Sequence, residues 1–372
     1  MQETIAQVSE FRSPLDQTHR DHGASMRNGE GMPASYGAVE AEYVTVRNGG
    51  AGLIDLSNRG RLFVSGSEAV MFLNGLITND MKTLESNHWM PAAFPNVQGR
   101  LLASVRIAHQ HFPDHTAVDG YLIDTEAATH AQVLGTLGRF TVAGDFKVRD
   151  VVGETALISL QGAGAAAVIA GVLGAEAAAL ERSHVWQGSH RDAPVTIWRA
   201  THTGEDGFDL LASNDGAHLL WKALIEAGAK PVGADALELL RIEAGLPRYG
   251  IDMDETNVVT ETGLDDAVSF TKGCYIGQEI IARIKYRGHV AKKLSGFKFN
   301  GKVEIGQGAK VHTSDGKEIG RVTSTTFSPT LENTIALGYV KYDYLAEGTE
   351  IFVGEMNIPA RVSPVPFVKG SW

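Results

Sequence analysis

With 372 residues, 43% of them hydrophobic and 21% charged, the chain is long enough for two or three domains with proper cores. A formal net charge of −11 argues against broad binding to nucleic acid or to membrane surfaces, since both partners are anionic. The single cysteine, Cys274, permits no internal disulfide and no self-contained Cys-rich zinc or iron–sulfur site, which points to a reducing compartment.

Met1-Gln2-Glu3-Thr4 starts no basic segment with an apolar core behind it, and no apolar run reaches the ~18 residues of a membrane span. A cytoplasmic protein without a membrane partner is the expectation. Residues 1–35 read as a polar, extended lead-in, and folded structure is expected from Tyr43 to Asp55 onward. Arg61-Leu62-Phe63-Val64 predicts a strand. Ser67 is a candidate cap for a helix burying Val70, Met71, Leu73 and Leu76. Tyr121-Leu122-Ile123 predicts another strand, followed by a helix capped near Thr125. Ala156–Leu160 and Val195–Trp198 read as further strands, each with a helix downstream. Asp235 and Glu238 resemble a capping box for a helix carrying Leu239, Leu240 and Ile242, with Arg241 off that apolar face. Beyond Leu294, about six short β-rich runs with turn signals such as Asp315-Gly316 suggest a small antiparallel barrel. The whole reads as an α+β body over residues 36–293, in two subdomains, followed by a barrel domain over 294–372.

Charge is uneven along the chain. Tyr249 to Thr271 holds six acidic residues and no Lys or Arg, whereas Lys272 to Lys293 holds six Lys or Arg against one Glu. Such runs are usually solvated faces, but the basic one also suits a small anionic ligand. It opens on Lys272-Gly273-Cys274-Tyr275-Ile276-Gly277-Gln278-Glu279, where two glycines let the backbone turn tightly around the cysteine. Glu279 to Ile284 reads as a short amphipathic helix, which would set the thiol near a helix N-terminus. A buried structural cysteine is the commoner alternative.

Other motifs compete with plainer readings. Gly162-Ala163-Gly164-Ala165-Ala166-Ala167, with Glu181 further on, imitates a dinucleotide fingerprint. No parallel β-α-β succession surrounds it, and close strand-to-helix packing suffices. His109, His111, Asp114 and His115 are metal-ligand types at loose spacing, better read as an exposed hairpin loop than as a zinc site. Thr203 to Asp209 is a turn entering an alternating strand. Its carboxylates, Glu205 and Asp209, are either solvated turn acids or acceptors for the flat edge of a heterocycle such as a pterin. Arg241 is either a salt-bridge partner or a carboxylate-binding group.

Several segments together resemble the glycine-cleavage T-protein (aminomethyltransferase) superfamily, nearly end to end. They are His22 to Met26, Met32-Pro33, Tyr36, Gly52 to Ser57, Leu76 to Asp80, Thr203 to Phe208 and Leu240 to Gly245. Lys272 to Glu279 is similar to the signature of the YgfZ branch, folate-binding proteins implicated in maturing or repairing iron–sulfur enzymes. The resemblance implies a three-part, cloverleaf-like fold around a central hole for tetrahydrofolate, ending in a β-barrel. It implies Asp209 as the acid on the pterin edge, Arg241 as a folate contact, and His202 near the cofactor, with Glu205 in the adjoining turn. Arg283, Lys285 and Arg287 would receive the glutamate tail, and Cys274 would act as a thiol or transient ligand. One departure stands out. Where T-proteins carry an Asp pair after their glycines, this chain has Ala103 and Ser104, so no acid is available there to stabilise charge on the folate. Three expectations follow: a tetrahydrofolate-binding assistant to iron–sulfur client proteins, a folate-dependent aminomethyl- or methyltransferase, and an interaction protein that has lost its ligand.

Overall fold

The computed structural model describes residues 11–26, 31–112 and 118–372. Two sheets and a barrel organise them. The first sheet is antiparallel throughout, in the order His88–Pro95, Leu101–His111, Asp119–Thr125, Gly60–Ser65, Lys147–Asp150. The second runs Val185–His190, Ala193–Arg199, Gly207–Ser213, Thr155–Gln161, Gly52–Asp55, Lys230–Pro231, and only its last pair is parallel. Helices Ala69–Leu76 and Ala127–Gly138 cover the outer face of the first sheet, and Ala165–Leu173 and Asn214–Glu226 that of the second. The inner faces meet each other. Phe63, Ala108 and Leu122 from one sheet share a core with Ile54, Leu157, Trp198 and Leu211 from the other.

Helices Val39–Arg47 and Ala234–Glu243 close the edge of that layer. Six strands, Lys292–Phe299 to Ile358–Ser363, form a closed antiparallel barrel whose core includes Phe297, Phe299, Val311 and Val362. The expected three-part α+β fold with a C-terminal barrel is present.

Several local expectations differ from the structure. The lead-in is not all extended: Asp16–Asp21 is a helix, pinned by buried His19 at 2.8 Å from buried Asp55. Ser67 caps no helix, because its amide and hydroxyl both donate to Asp145, and Met71 faces solvent. The helix after Tyr121–Ile123 starts at Ala127, with Glu126 rather than Thr125 as the residue before its first turn. Val195–Trp198 leads into another strand, and the helix comes only after Ser213, whose hydroxyl caps it. Helix Ala234–Glu243 starts after Gly233 without a side-chain cap.

Candidate functional site

The site forms where the two sheets face each other. Successive side chains of a strand point to opposite faces. In Gly207–Ser213, Phe208, Leu210 and Ala212 therefore join the helix-covered core, while Asp209 and Leu211 face the other sheet. Leu101–His111 does the same from across the layer. Ala103, Val105 and Ile107 point to the helices, and Ser104, Arg106 and Ala108 turn inward. Asp124 lies directly across from Arg106 in strand register, and Arg59 reaches in from the turn before Gly60.

These side chains make a continuous row. Arg59 donates to Glu126 at 2.6 Å and, through two parallel bonds of 2.8 Å, to Asp124. Arg106 Nε donates to Asp124 at 2.8 Å and its Nη1 to Asp209 at 2.6 Å. His202 Nε2 lies 2.9 Å from the same carboxylate oxygen. An ionised carboxylate only accepts, so Nε2 carries the proton, and the 3.5 Å approach of Arg106 Nη1 to it joins two donors and is no bond. Three carboxylates and two guanidinium groups alternate along the row, with the His202 ring at its end. Burial alone would raise the Asp209 carboxyl. The charges of His202 and Arg106, with hydrogen bonds from His202 and Ser159, outweigh it and hold the group well below the usual carboxylate range. Asp124 is likewise lowered, burial being outweighed by Arg106 and Arg59.

The ends of the row surface in a cleft of about 610 Å³, counting its open mouth. Arg59, Glu126 and His202 line one side, Arg241 and Arg248 another, and Met32, Leu56 and Leu237 supply apolar wall. That mixture of apolar wall and few convergent polar groups suits a small-molecule site. Two hollows on the barrel are less suited, since their acids, Glu350 and Glu318, are exposed side chains.

Arg241 borders the cleft, and of its two expected roles the one seen is the salt-bridge partner, paired with Glu238 and Asp252. It is 5% exposed. Nε and Nη2 donate to Glu238, Nη1 to Asp252 and the Leu246 carbonyl, and Nη2 also to Ser324 of the barrel. All five of its N–H donors are thus used inside the protein. Glu205 lies elsewhere: it accepts from Arg47 and from the amide and hydroxyl of Ser371, fastening the last residues of the chain.

Two family descriptions match this sequence: the GCVT N-terminal domain over residues 15–272 and the glycine cleavage T-protein C-terminal barrel domain over residues 292–369. The chain belongs to the glycine-cleavage T-protein family. A protein of Rubrobacter xylanophilus named aminomethyltransferase is 34% identical over 368 residues, covering 98% of this chain and 96% of that one. A Thermus thermophilus protein of the same name is 31% identical over 360 residues, covering 96% and 99%. The crystal structure of glycine cleavage system aminomethyltransferase T from Bartonella henselae superposes with a TM-score of 0.86 at 26% identity, covering 97% and 99%.

Within this T-protein frame, Ala103 and Ser104 occupy different environments. Ala103 is fully buried under the helices, and Ser104 faces the inner layer beside Arg106. Cys274 is exposed, as are Arg283 and Arg287 on helix Gln278–Arg287, and none of the three borders the cleft. The rest of the cysteine segment is structural. Lys272 Nζ donates to the carbonyls of Asn74, Ile77 and Asn79 at 2.6–3.0 Å, closing the C-terminal end of helix Ala69–Leu76. Burial pulls its ammonium group down to about 8. Gly277 has φ +79°, and a Cβ there would stand 2.4 Å from the Asn96 carbonyl. The helix itself begins at Gln278, four residues past the thiol.

Gly162 and Gly164 serve packing: a Cβ on either would press on the backbone of Gly50. His109 pairs with Asp119 at 3.2 Å, and no cluster of three metal-binding side chains occurs among the described residues; Asp114 and His115 lie outside them. No helix among the described residues is long and apolar enough to cross a membrane.

Arg59, Arg106, Asp124 and Glu126 escaped sequence reasoning. For Arg106 and Asp124 the signal was a charge at an alternating position inside otherwise mostly apolar strands, Leu101 to Ala108 and Tyr121 to Thr125; Arg59 and Glu126, in the flanking turns, gave none. Such a charge must find a partner in the opposing layer.

Proposed function

We propose that this chain binds tetrahydrofolate in the cleft between the sheets and acts as a folate-dependent aminomethyl- or methyltransferase. The observation that carries this reading is the buried row from Glu126 to His202. It puts an ionised acid, Asp209, behind an open cleft that combines apolar wall with convergent polar groups. The pteridine edge would meet Asp209 and His202, and Arg248, 38% exposed and only 3.2 Å from one carboxylate, is the cleft cation freest to meet a glutamate tail. Relatives named aminomethyltransferase, 31–34% identical over nearly the whole chain, support the same reaction class. When bound, the folate supplies the nitrogen that accepts the one-carbon unit. The chain's residues hold it and exclude water, and Ser104 is the inward hydroxyl nearest in sequence to where T-proteins have their acid. Formation of methylenetetrahydrofolate from an aminomethyl-loaded lipoyl carrier tests this reading. Turnover that depends on Asp209 supports it, and folate binding without turnover removes the transferase.

The second reading is a YgfZ-like role in iron–sulfur protein assembly or repair. It is favoured by the exposed thiol of Cys274 on a firmly tied loop and by the absence of an acid at Ala103 and Ser104. Its test is iron–sulfur enzyme activity in cells lacking the native protein. Full rescue by Cys274→Ala would remove the cysteine from the account.

A further inference from the structure

Asp209, the acid that should receive a ligand, is already engaged. It is 1% exposed, one oxygen accepts from both Arg106 and His202, and the other lies 3.2 Å from His202. The Arg106 guanidinium presents N–H donors on a flat N–C–N edge. A 2-amino-4-oxo-pteridine offers the same pattern, two parallel N–H donors flanking a ring carbon. Arg106 reaches Asp209 through Nη1 on one oxygen, so a pteridine edge that takes both oxygens has to displace that bond.

Three observations make Arg106 the movable member. Its Nη2 is buried without a hydrogen-bond partner, whereas Arg241 uses every donor it has. Its Nε bond to Asp124 does not involve Asp209, so leaving Asp209 does not strip the guanidinium of its countercharge. Finally, it stands between two hollows. It touches His202, which lines the cleft, and lies 5.9 Å from the ring of Trp89, which lines a second hollow near Asn79 and Met90.

We propose that Arg106 is the internal occupant of the Asp209 subsite and sets its specificity. A ligand enters by replacing the guanidinium with its own pair of N–H donors while Arg106 falls back on Asp124. The site then selects flat heterocycles carrying an amino group beside a ring N–H, and rejects isosteres with a carbonyl in that place. This rests on the folate reading of the cleft.

The test is calorimetric titration of the full chain with tetrahydrofolate, with pterin, and with lumazine, which has an oxo group where pterin has its amino group. Parent protein is compared with Arg106→Lys, which keeps the charge beside Asp124 but cannot span to Asp209. The double variant Arg106→Met/Asp124→Asn removes one charge of each sign, so the row keeps its charge balance, with Asp209 still held by His202 and Arg59 by Glu126. An occupied subsite weakens apparent affinity by the fraction of time it is free, so both variants should bind tetrahydrofolate and pterin about tenfold tighter or more. Lumazine affinity should not follow. If the parent binds tetrahydrofolate and the variants bind it equally or more weakly, Arg106 is a bystander or a ligand contact. The proposal then falls while the folate reading stands. An equal gain for lumazine overturns the specificity claim. No pteridine binding by parent or variants overturns the folate reading and this inference with it.

Discussion

Replacing Arg241 should damage the fold rather than simply weaken a ligand contact. The side chain ties helix Ala234–Glu243 to the barrel through Ser324 and neutralises Asp252, which is 1% exposed. Asp252 also accepts from the hydroxyls of Thr323 and Ser324 and from the Arg248 amide, so its carboxylate stays in place when the cation is removed. Removing one partner of a buried pair leaves an uncompensated charge, which costs about 3–5 kcal/mol. Arg241→Met should therefore lower the unfolding free energy by about that amount in guanidinium denaturation followed by tryptophan fluorescence. Arg241→Met/Asp252→Asn should recover a large part of the loss, because no unpaired charge remains. A loss below about 1 kcal/mol in the single variant would refute the reasoning, placing Arg241 in the class of weak surface pairs. A double variant as unstable as the single one would show that the lost bonds to Glu238 and Ser324 matter more than charge.

Acid should weaken the protein through its buried carboxylates. Asp55, Asp124 and Asp209 are all held below their unfolded value of about 3.9, so the unfolded chain takes up protons first as pH falls. Their stabilisation is complete above that value and is lost as pH drops through the lower folded ones. Denaturation midpoints measured from pH 7 to pH 3 should fall steeply below about pH 4, less steeply in Asp209→Asn, and an unchanged slope in that variant contradicts the assignment. Gly277→Ala should cost about 1–3 kcal/mol, from the positive φ and the Asn96 carbonyl. Gly273→Ala, which meets open space, should stay within about 0.5 kcal/mol, and equal costs at the two positions would contradict the geometry. Cys274 should react with an aromatic disulfide reagent in native buffer about as fast as in denaturant, since it is exposed; strong protection would contradict that placement.

The parts of the fold legible in the sequence were those governed by local pattern. The alternation of Phe208-Asp209-Leu210 correctly turns Asp209 away from the apolar side of its strand, and the short β runs after Leu294 do close a barrel. What remained hidden depended on which surfaces meet. Arg241 lies off the apolar face of one helix, and no local pattern tells that this helix is sandwiched between helix Val39–Arg47 and the barrel, so that its polar side is also covered. Lys272 looked like part of a basic face. The three carbonyls it holds lie 193 to 198 residues earlier, where no periodicity reveals them. Ser67 has cap chemistry, but Asp145 competes for it from a strand entrance 78 residues away. Arg106 required knowing that the two sheets face each other.

The row of charges between the sheets also acts as a keyed joint during assembly. Arg106 sits opposite Asp124 in its own sheet and against Asp209 in the other. A one-residue slip of strand Leu101–His111 would bring Val105 or Ile107 opposite Asp124 and turn Arg106 outward, under the helices. Both acids would then lose Arg106 and meet apolar side chains in its place, leaving Asp124 to Arg59 and Asp209 to His202, at a cost of several kcal/mol. Apolar side chains alone would tolerate many near-matches between two flat faces. Here the charges veto the near-matches, so the cavity between the sheets closes in one alignment, and any ligand that enters it meets the same walls every time.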